Sequence, residues 1–186
     1  MQFSNNGQYV ASGSKDRTVR LWDLSNRRQL ACFRGHEGEI TELTFSFDDT
    51  QVLSASEDGT VRVWNAHYRE SQAPKGRERG HITSLAFSAS GDFVVTGAND
   101  SCVSIWNASD GRERHILARH DRVVDLVVCH PTEDVCATSS SWGGPVIVWD
   151  ISAGQCLGEL DHALLGHATK VAFSVVLHFR QESHGL

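Results

Sequence analysis

The sequence contains no run of about 20 apolar residues, the length that a membrane-spanning helix needs. Its first ten residues, MQFSNNGQYV, carry neither a charged start nor an apolar core, so a secretory signal is not expected. Positive charge is scarce as well, because 17 Lys and Arg against 23 Asp and Glu give a formal net charge of -6. A chain with this balance should not bind nucleic acid through a broad electrostatic surface. We therefore expect neither a membrane nor nucleic acid among its partners.

Paired cysteine motifs are also missing. The sequence has five cysteines, an odd number, and none of them forms a C-x-x-C pair. This pattern argues against a disulfide framework and against a zinc site, which needs closely spaced Cys or His ligands. The ten histidines include no H-x-x-x-H pair either. We therefore predict reduced, packed thiols, no metal, no cofactor, and an intracellular protein of the cytoplasm or nucleus.

What the sequence does contain is a repeat. Its 186 residues, of which 40% are hydrophobic, suffice for one domain or for an array of small units. Tryptophans recur at spacings of 42, 42 and 43 residues, namely Trp22, Trp64, Trp106 and Trp149. A Phe-Ser pair recurs at residues 3–4, 45–46, 87–88 and 173–174. In each of the first three units, an Asp in a tight turn follows this Phe by 13 residues, so the repetition is genuine.

Within each unit, hydrophobic residues alternate with polar ones at the period of a β-strand. In the second unit this pattern predicts strands over residues 40–46, 51–56 and 60–65. Turn-prone residues separate them, with Asp48-Asp49 in the first turn and Asp58-Gly59 in the second.

A fourth strand is predicted after the tryptophan of the other units, over residues 29–34, 113–118 and 155–160. The second unit is predicted to lack this strand, because residues 68–81 are polar and contain Pro74. We interpret that stretch as a loop or a poorly formed edge strand.

Four strands per unit and a period near 42 residues resemble the WD-repeat β-propeller family. The motifs that carry the resemblance are Gly35-His36, the Trp-Asp pairs at 22–23 and 149–150, and the variants Trp64-Asn65 and Trp106-Asn107. The resemblance implies an all-β fold, a β-propeller segment of about four four-stranded antiparallel blades. The predicted units cover residues 1–34, 35–79, 80–118 and 119–165, followed by a lone first strand at 166–174 and a non-repeat tail at 175–186.

The resemblance also implies a structural hydrogen-bond set in each blade. Its members are a His before the first strand, a Ser or Thr on the second, the turn Asp, and the Trp of the third. Such a set gives partners to a buried indole and a buried imidazole. In register, the units supply Ser12, Asp16 and Trp22; His36, Ser54, Asp58 and Trp64; Thr96, Asp100 and Trp106; and His120, Thr138 and Trp149.

Only the second unit has all four members in register. His81 stands six residues before Phe87, whereas His36 stands nine before Phe45, so His81 is not expected to complete the third set. In the fourth unit, Trp142 and the glycine after it replace the turn Asp. We therefore expect uneven stability along the chain, with the second blade the most stable.

His36, Ser54 and Asp58 are also the residue types of a hydrolase triad, which needs a nucleophile, a base and an orienting acid. A catalytic set is needed once, whereas these residue types recur at blade spacing, and no G-x-S-x-G elbow is present. We therefore interpret the set as structural and the protein as a non-enzyme, with a hydrolase as the less favoured alternative.

For partner binding, the resemblance points to the rim residues just before the turn Asp. These are Lys15, Glu57 and Asn99, with Trp142 near the corresponding place in the fourth unit. Trp142 has two alternatives, an exposed interface anchor or a side chain folded back into the gap left by the missing Asp. The polar residues 69–79 are interpreted as a solvated loop, with docking of an acidic peptide as the second alternative.

These observations favour a non-catalytic scaffold that binds protein or peptide partners on its rim. Four repeats are few for this family, so we expect an incomplete open arc whose exposed sheet edges favour self-association. In a second arrangement, residues 168–174 supply a strand to the first blade and close a ring. The alternative is that the chain is a truncated fragment or isoform of a larger WD-repeat protein and has no independent function.

Overall fold

The computed structural model describes residues 1–66, 80–141 and 144–160, together with the backbone of residues 71–77. These residues form strands and turns without a helix, in four separate four-stranded antiparallel sheets. The first sheet contains β1 (Gln2–Phe3), β2 (Tyr9–Gly13), β3 (Thr18–Asp23) and β4 (Arg28–Arg34). The second contains β5 (Ile40–Phe45), β6 (Gln51–Ser56), β7 (Thr60–Asn65) and β8 (Ser71–Arg77).

The other two sheets repeat the same order of strands along the chain. The third contains β9 (Ile82–Phe87), β10 (Phe93–Ala98), β11 (Val103–Asn107) and β12 (Glu113–Leu117). The fourth contains β13 (Val124–Cys129), β14 (Val135–Ser140), β15 (Val146–Asp150) and β16 (Gln155–Leu160). The predicted all-β fold with four four-stranded blades is therefore confirmed.

The turn between the second and third strands has one conformation in the first three sheets. The residue after the turn Asp is left-handed in each, with φ of 69° at Arg17, 75° at Gly59 and 70° at Ser101. Glycine adopts this region at little cost, whereas Arg17 and Ser101 are held there by the surrounding turn. The turn geometry therefore depends on the preceding Asp and on strand register more than on glycine.

The second sheet departs from the prediction. We expected it to lack a fourth strand, and this is wrong, because β8 pairs with β7 from Trp64–Ser71 to Thr60–Arg77. The ladder is irregular, since Val61 lies opposite Gly76 and Val63 opposite Gln72. Pro74 lies between Gln72 and Gly76, inside this irregular stretch of an edge strand, which is where proline is tolerated because it cannot donate to a ladder. Of the two interpretations, the poorly formed edge strand is therefore the correct one.

Among the described residues, three hydrophobic clusters join neighbouring sheets in sequence order, the first sheet to the second, the second to the third, and the third to the fourth. In each cluster the tryptophan of one sheet packs on the aliphatic side chains of the sheet before it. Trp64, only 1% exposed, stacks on Phe33 with ring centroids 5.2 Å apart. Such an aromatic contact adds about 1 kcal/mol to the burial of the two side chains.

The four sheets form an open row. Strand contacts link β2 with β5, β6 with β9, and β10 with β13, and among the described strands no comparable packing joins the first sheet to the fourth. The place that ring closure would assign to residues 173–174 is filled by the chain's own Phe3 and Ser4, since Phe3 pairs with Val10 and Ser4 bonds to Tyr9. Residues 168–174 lie outside the described part of the chain.

Candidate functional site

The four predicted members of the second set lie within hydrogen-bonding distance of one another. The Nε1 atom of Trp64 donates to the Ser54 Oγ over 2.8 Å. The same Oγ lies 2.8 Å from the Nε2 atom of His36, whose Nδ1 lies 3.1 Å from the Asp58 Oδ2. Ser54 and Trp64 lie on β6 and β7, Asp58 lies in the turn between them, and His36 lies in the loop between β4 and β5, so the chain of bonds ties the interior of the sheet to its rim.

The direction of these bonds follows from what each group can do. An indole N–H only donates and an ionised carboxylate only accepts. Neutral His36 therefore donates from Nδ1 to Asp58 and accepts at Nε2 from the hydroxyl of Ser54, which in turn accepts from Trp64. Burial lowers the pKa of His36, against the opposing effect of Asp58, so the imidazole is neutral near pH 7.

Asp58 is the centre of the rim end of this set. Its carboxylate accepts bonds from the Thr60 N–H and hydroxyl, from the Glu37 N–H over 2.7 Å, and from His36. Burial alone raises the pKa of Asp58, but the bonds from Thr60, Glu37 and His36 together hold that pKa well below its usual range. The ionised carboxylate thus joins the loop before β5 to the β6–β7 turn.

The sequence interpretation missed Thr60 as a fifth member of the set. Its hydroxyl donates to Asp58 and also lies 3.1 Å from the His36 Nδ1. The signal was present, because Thr18 stands at the same distance after Asp16, and its hydroxyl bonds to that carboxylate in the first sheet.

His36, Ser54 and Asp58 are arranged like a hydrolase triad, but they provide no accessible nucleophile. The Ser54 side chain is 0% exposed, and its Oγ is already occupied by the Trp64 indole. A nucleophile must reach the reacting carbonyl carbon of a substrate, and here protein atoms fill the approach. Chemically, this arrangement can hold the sheet together but cannot attack a bound substrate.

The first sheet contains a shorter set. Trp22 donates from Nε1 to the Ser12 Oγ over 3.0 Å. Asp16 accepts from the Thr18 N–H and hydroxyl and pairs with the guanidinium of Arg20. Asp16 and Trp22 are therefore not joined through an imidazole, and the Trp22 side chain is only half-buried.

In the third sheet, Trp106 donates to the Thr96 Oγ1 over 2.9 Å. Asp100 accepts from the Cys102 N–H, as a turn Asp does. His81 is exposed, and its backbone N–H donates to the Asn99 Oδ1 over 2.7 Å. The carbonyl of His81 accepts from Asn99 as the carbonyl of Glu39 accepts from Glu57 in the second sheet. His81 is therefore the counterpart of Glu39, which stands three residues after His36, and not of His36 itself.

The fourth sheet has a histidine with one unused nitrogen. The Thr138 Oγ1 accepts from the Trp149 Nε1 over 2.8 Å and lies 2.7 Å from the His120 Nε2. The buried Nδ1 of His120 has no hydrogen-bond partner within the described residues. Burial lowers the pKa of His120, with Asp125, Asp121 and Glu159 opposing it, so this imidazole too is neutral near pH 7.

The candidate partner-binding residues Lys15, Glu57 and Asn99 lie on one rim. They occupy the same place in the β2–β3, β6–β7 and β10–β11 turns, and all three side chains are exposed. The backbone N–H of Glu57 donates to the carbonyl of Glu39, and that of Asn99 donates to the carbonyl of His81, each over 2.9 Å. These bonds fix the turns to the loops before β5 and β9.

The three rim side chains differ in whether they make an ion pair or a hydrogen bond with the rest of the protein. The Lys15 Nζ lies 3.2 Å from a Glu39 carboxylate oxygen across the boundary between the first two sheets. The Asn99 side chain accepts from the His81 backbone, whereas the Glu57 side chain makes no hydrogen bond or ion pair within the described residues. Trp142 lies outside the described part of the chain, so its two alternatives stay predictions.

Two further residues were not anticipated. Asp49, buried with φ of 58°, accepts from the Asn5 and Asn6 N–H groups over 2.7 and 2.8 Å and so connects the first two sheets at the opposite rim. Phe47, beside it, is 62% exposed and borders a groove of about 370 Å³. The corresponding residues of the other three sheets are Asn5, Ala89 and Pro131. Phe47 is therefore the large apolar residue among these four, and this difference in the sequence could have identified it.

The cysteines and the possible metal ligands were compared across the described part of the chain. All five cysteines are free thiols, and no group of three His, Cys, Asp or Glu with metal-binding geometry occurs among the described residues. The side chains of residues 69–79 lie outside the described part, so their docking alternative is untested. In the portion that the structure covers, no helix is long and apolar enough to cross a bilayer.

Comparison with known proteins agrees with this architecture. The family model "WD domain, G-beta repeat" matches residues 1–23, 27–65 and 73–107, together more than half of the chain. The first segment covers β1–β3, the second covers β4–β7, and the third begins within β8 and ends with β11, so each match after the first starts on the last strand of the preceding sheet.

Individual relatives match over single repeats. The chain is 40% identical over 43 residues to the general transcriptional corepressor TUP1 of Saccharomyces cerevisiae, covering 23% of this chain and 6% of that protein. It is 45% identical over 42 residues to the U3 snoRNP-associated protein-like YAOH of Oryza sativa, covering 23% and 8%. It is 43% identical over 47 residues to the human U5 small nuclear ribonucleoprotein 40 kDa protein, covering 25% and 13%.

The matched parts thus span between 6% and 13% of the length of these relatives. The shared motifs, the four-stranded sheets and the family match lead to the same assignment. The chain belongs to the WD domain, G-beta repeat family.

Proposed function

We propose that the chain is a non-catalytic scaffold that binds protein or peptide partners on the rim carrying Lys15, Glu57, Asn99 and Trp142. The observation that carries this proposal is the common placement of three exposed turn residues on one firmly bonded rim. A rigid backbone presenting exposed side chains binds without first losing conformational entropy, which favours affinity.

The relatives support a role in assemblies of several proteins. One is named a corepressor and two are named as associated with, or part of, ribonucleoproteins. We infer that the partners of this chain are likewise proteins, met in the nucleus or cytoplasm. Nucleic acid would be bound indirectly, because the net charge of -6 disfavours direct phosphate contacts.

We also infer self-association, because the row of four sheets leaves two end sheets with an uncovered side among the described strands. Exposed sheet edges and faces are seldom left uncovered in stable proteins. Self-association and rim binding use different surfaces, so each can fail independently of the other.

The test of rim binding is a quantitative affinity purification with the full chain and a Lys15→Ala/Glu57→Ala/Asn99→Ala variant. We expect the variant to lose partners that the wild-type chain retains, with an unchanged thermal transition. A matched control changes three exposed residues of the opposite rim, Gln8, Glu133 and Gln155, to alanine.

Retention of every partner by the first variant would exclude this rim as the binding site. If the isolated chain showed no cooperative thermal transition by circular dichroism, a fragment without independent function would be the better conclusion. Hydrolase activity abolished by Ser54→Ala in a folded chain would contradict the non-catalytic assignment.

A further inference from the structure

Carboxylates link the turns of neighbouring sheets at the first and the third sheet boundary. At the first boundary, Asp49 of the β5–β6 turn accepts from the Asn5 and Asn6 N–H groups of the β1–β2 turn. At the third boundary, the Asp134 Oδ1 of the β13–β14 turn accepts from the Ser90 N–H of the β9–β10 turn over 3.1 Å. Both links lie on the same rim, and each connects two adjacent sheets there.

The boundary between the second and third sheets has no such carboxylate link among the described residues. Gly91 stands where the second sheet has Asp49, and a Cβ atom added to Gly91 would meet no atom within 4 Å. Asp92 stands where the fourth sheet has Asp134. Its backbone is hydrogen-bonded, but its exposed carboxylate makes no hydrogen bond or ion pair within the described residues. This boundary is therefore open at the rim.

Two adjoining cavities occupy the open boundary. Their volumes are about 240 and 190 Å³, and Gln51, Gly91 and Asp92 line both of them. Sites for drug-sized ligands have volumes of roughly 300 to 1,000 Å³, so each of these cavities suits a single side chain. We call the two cavities together the middle cleft. Phe47, which is 62% exposed, and Asp48 line the larger of the two.

Gln51 brings an unpaired acceptor to the middle cleft. Its Oε1 is buried and has no hydrogen-bond partner among the described residues. The residues at the same position of the other sheets are Tyr9, Phe93 and Val135, so the amide occurs in the second sheet alone among the four. A buried acceptor without a partner is destabilising, and an N–H group that enters the cleft would remove this cost. The amide can turn toward such a donor, because its terminal torsion is broad.

We propose that the middle cleft binds an arginine side chain of a partner protein. Asp48 and Asp92 place two carboxylates at the cleft, and no Lys or Arg of the described residues lines it. A cation with several N–H donors can donate to a carboxylate and to the Gln51 Oε1 at the same time. The guanidinium group has five such donors in one plane, and it also stacks on aromatic rings such as that of Phe47. The compact ammonium group of lysine matches this set less well.

The test is an NMR titration of the full, isotope-labelled chain with the blocked peptide acetyl-Ala-Arg-Ala-amide. We expect saturable shifts of the Gly91 and Asp92 backbone amides and of the Gln51 side-chain amide. The matching lysine peptide should bind about tenfold more weakly, the scale of one lost charge-assisted hydrogen bond. A peptide with uncharged citrulline in place of arginine should cause no saturable shift.

Asp92→Asn tests the role of the free carboxylate at a side chain that is exposed, so the fold should be kept. This change should raise the dissociation constant of the arginine peptide about tenfold. Gln51→Met removes the amide acceptor and should weaken binding as well. Asp110→Asn is the matched control, because Asp110 is exposed on the β11–β12 turn, accepts from the Arg112 N–H and does not line the cleft. It should leave the dissociation constant unchanged.

The absence of saturable shifts in the wild-type chain would overturn the proposal. Equal affinity for the arginine and lysine peptides would overturn it in favour of a contact that depends on charge alone. Shifts confined to the turns of Lys15, Glu57 and Asn99 would overturn it in favour of the other rim. The Lys15→Ala/Glu57→Ala/Asn99→Ala variant should bind the arginine peptide as the wild-type chain does, so failure of this proposal is distinguishable from failure of rim binding.

Discussion

His36 donates from its Nδ1 to the Asp58 Oδ2 over 3.1 Å, and this bond completes a set that, among the described residues, no other sheet has in full. It connects a buried imidazole to a carboxylate whose pKa lies well below its usual range. The stability of the second sheet should therefore depend on Asp58 more than that of the first sheet depends on Asp16.

Asp58→Ala should lower the free energy of unfolding by about 2–3 kcal/mol, because it leaves the buried His36 Nδ1 without its acceptor and removes the cap on two backbone N–H groups. Asp16→Ala is the matched control, and its effect should be clearly smaller, since Asp16 is exposed and holds no histidine. Urea denaturation followed by tryptophan fluorescence measures both. Equal losses of stability would show that the bonds from the Thr N–H and hydroxyl, which Asp16 and Asp58 both accept, account for the loss, and that the bond from His36 contributes little.

His36→Ala should cost more stability than His120→Ala. Both changes remove a bond to a buried hydroxyl, but only His36 also loses a bond from Nδ1 to a carboxylate. The difference should be about 1 kcal/mol, the net contribution of one hydrogen bond. Thermal unfolding of the two variants at pH 7.5 gives the comparison. Equal costs would mean that the His120 Nδ1 has an acceptor beyond the described residues.

Glu42 should make stability depend on pH. Its Oε2 is buried without a hydrogen-bond partner among the described residues, and burial raises the pKa of this carboxyl to about 7, against the opposing charge of the Met1 amino group. The folded state therefore holds the proton more tightly than the unfolded state. The contribution of protonated Glu42 to the stability of the folded state is fully present below about pH 4.5 and is lost as the pH rises through about 7.

Glu42→Gln removes this titration, so the variant should gain roughly 1–2 kcal/mol relative to the wild-type chain between pH 5 and pH 8. His36 and His120 act in the opposite direction, because their lowered pKa makes stability fall as the pH drops below about 6.5. The comparison of variant with wild type cancels their contribution. A pH-independent difference between Glu42→Gln and the wild-type chain would contradict the prediction.

Asp49→Asn should loosen the first sheet from the second. The Asp49 carboxylate accepts two backbone N–H groups of the first sheet, and asparagine tolerates the same left-handed backbone while offering a weaker, uncharged acceptor. Hydrogen exchange of the Asn5 and Asn6 amides should become faster by about tenfold. Asp134→Asn is the control, because among the described residues Asp134 accepts a single N–H, that of Ser90, across its sheet boundary. Unchanged exchange at Asn5 and Asn6 would show that the apolar cluster alone holds the two sheets.

The strands and their register were predictable because both depend on local pattern. Alternation of apolar residues and the 13-residue distance from Phe to the turn Asp place β5, β6 and β7 close to their observed bounds. The same register brings Ser54 and Trp64 together, since ten residues in a tight hairpin place them within reach of one bond. A fourth strand without a clear apolar pattern, β8, was missed, because an edge strand needs backbone pairing but little side-chain burial.

The sequence by itself determined the repeat, the strand order within each sheet, and the residue types that bond inside it, because these follow from spacing along one chain. Only the tertiary structure decided which repeated residues are buried. Trp64 is almost completely buried and Trp22 only half-buried, although their local sequences nearly agree, because full burial requires a neighbouring sheet on that face. The same reason makes Asp49 a link between sheets and leaves Phe3 exposed. Identical motifs thus differ in role according to what lies beside them.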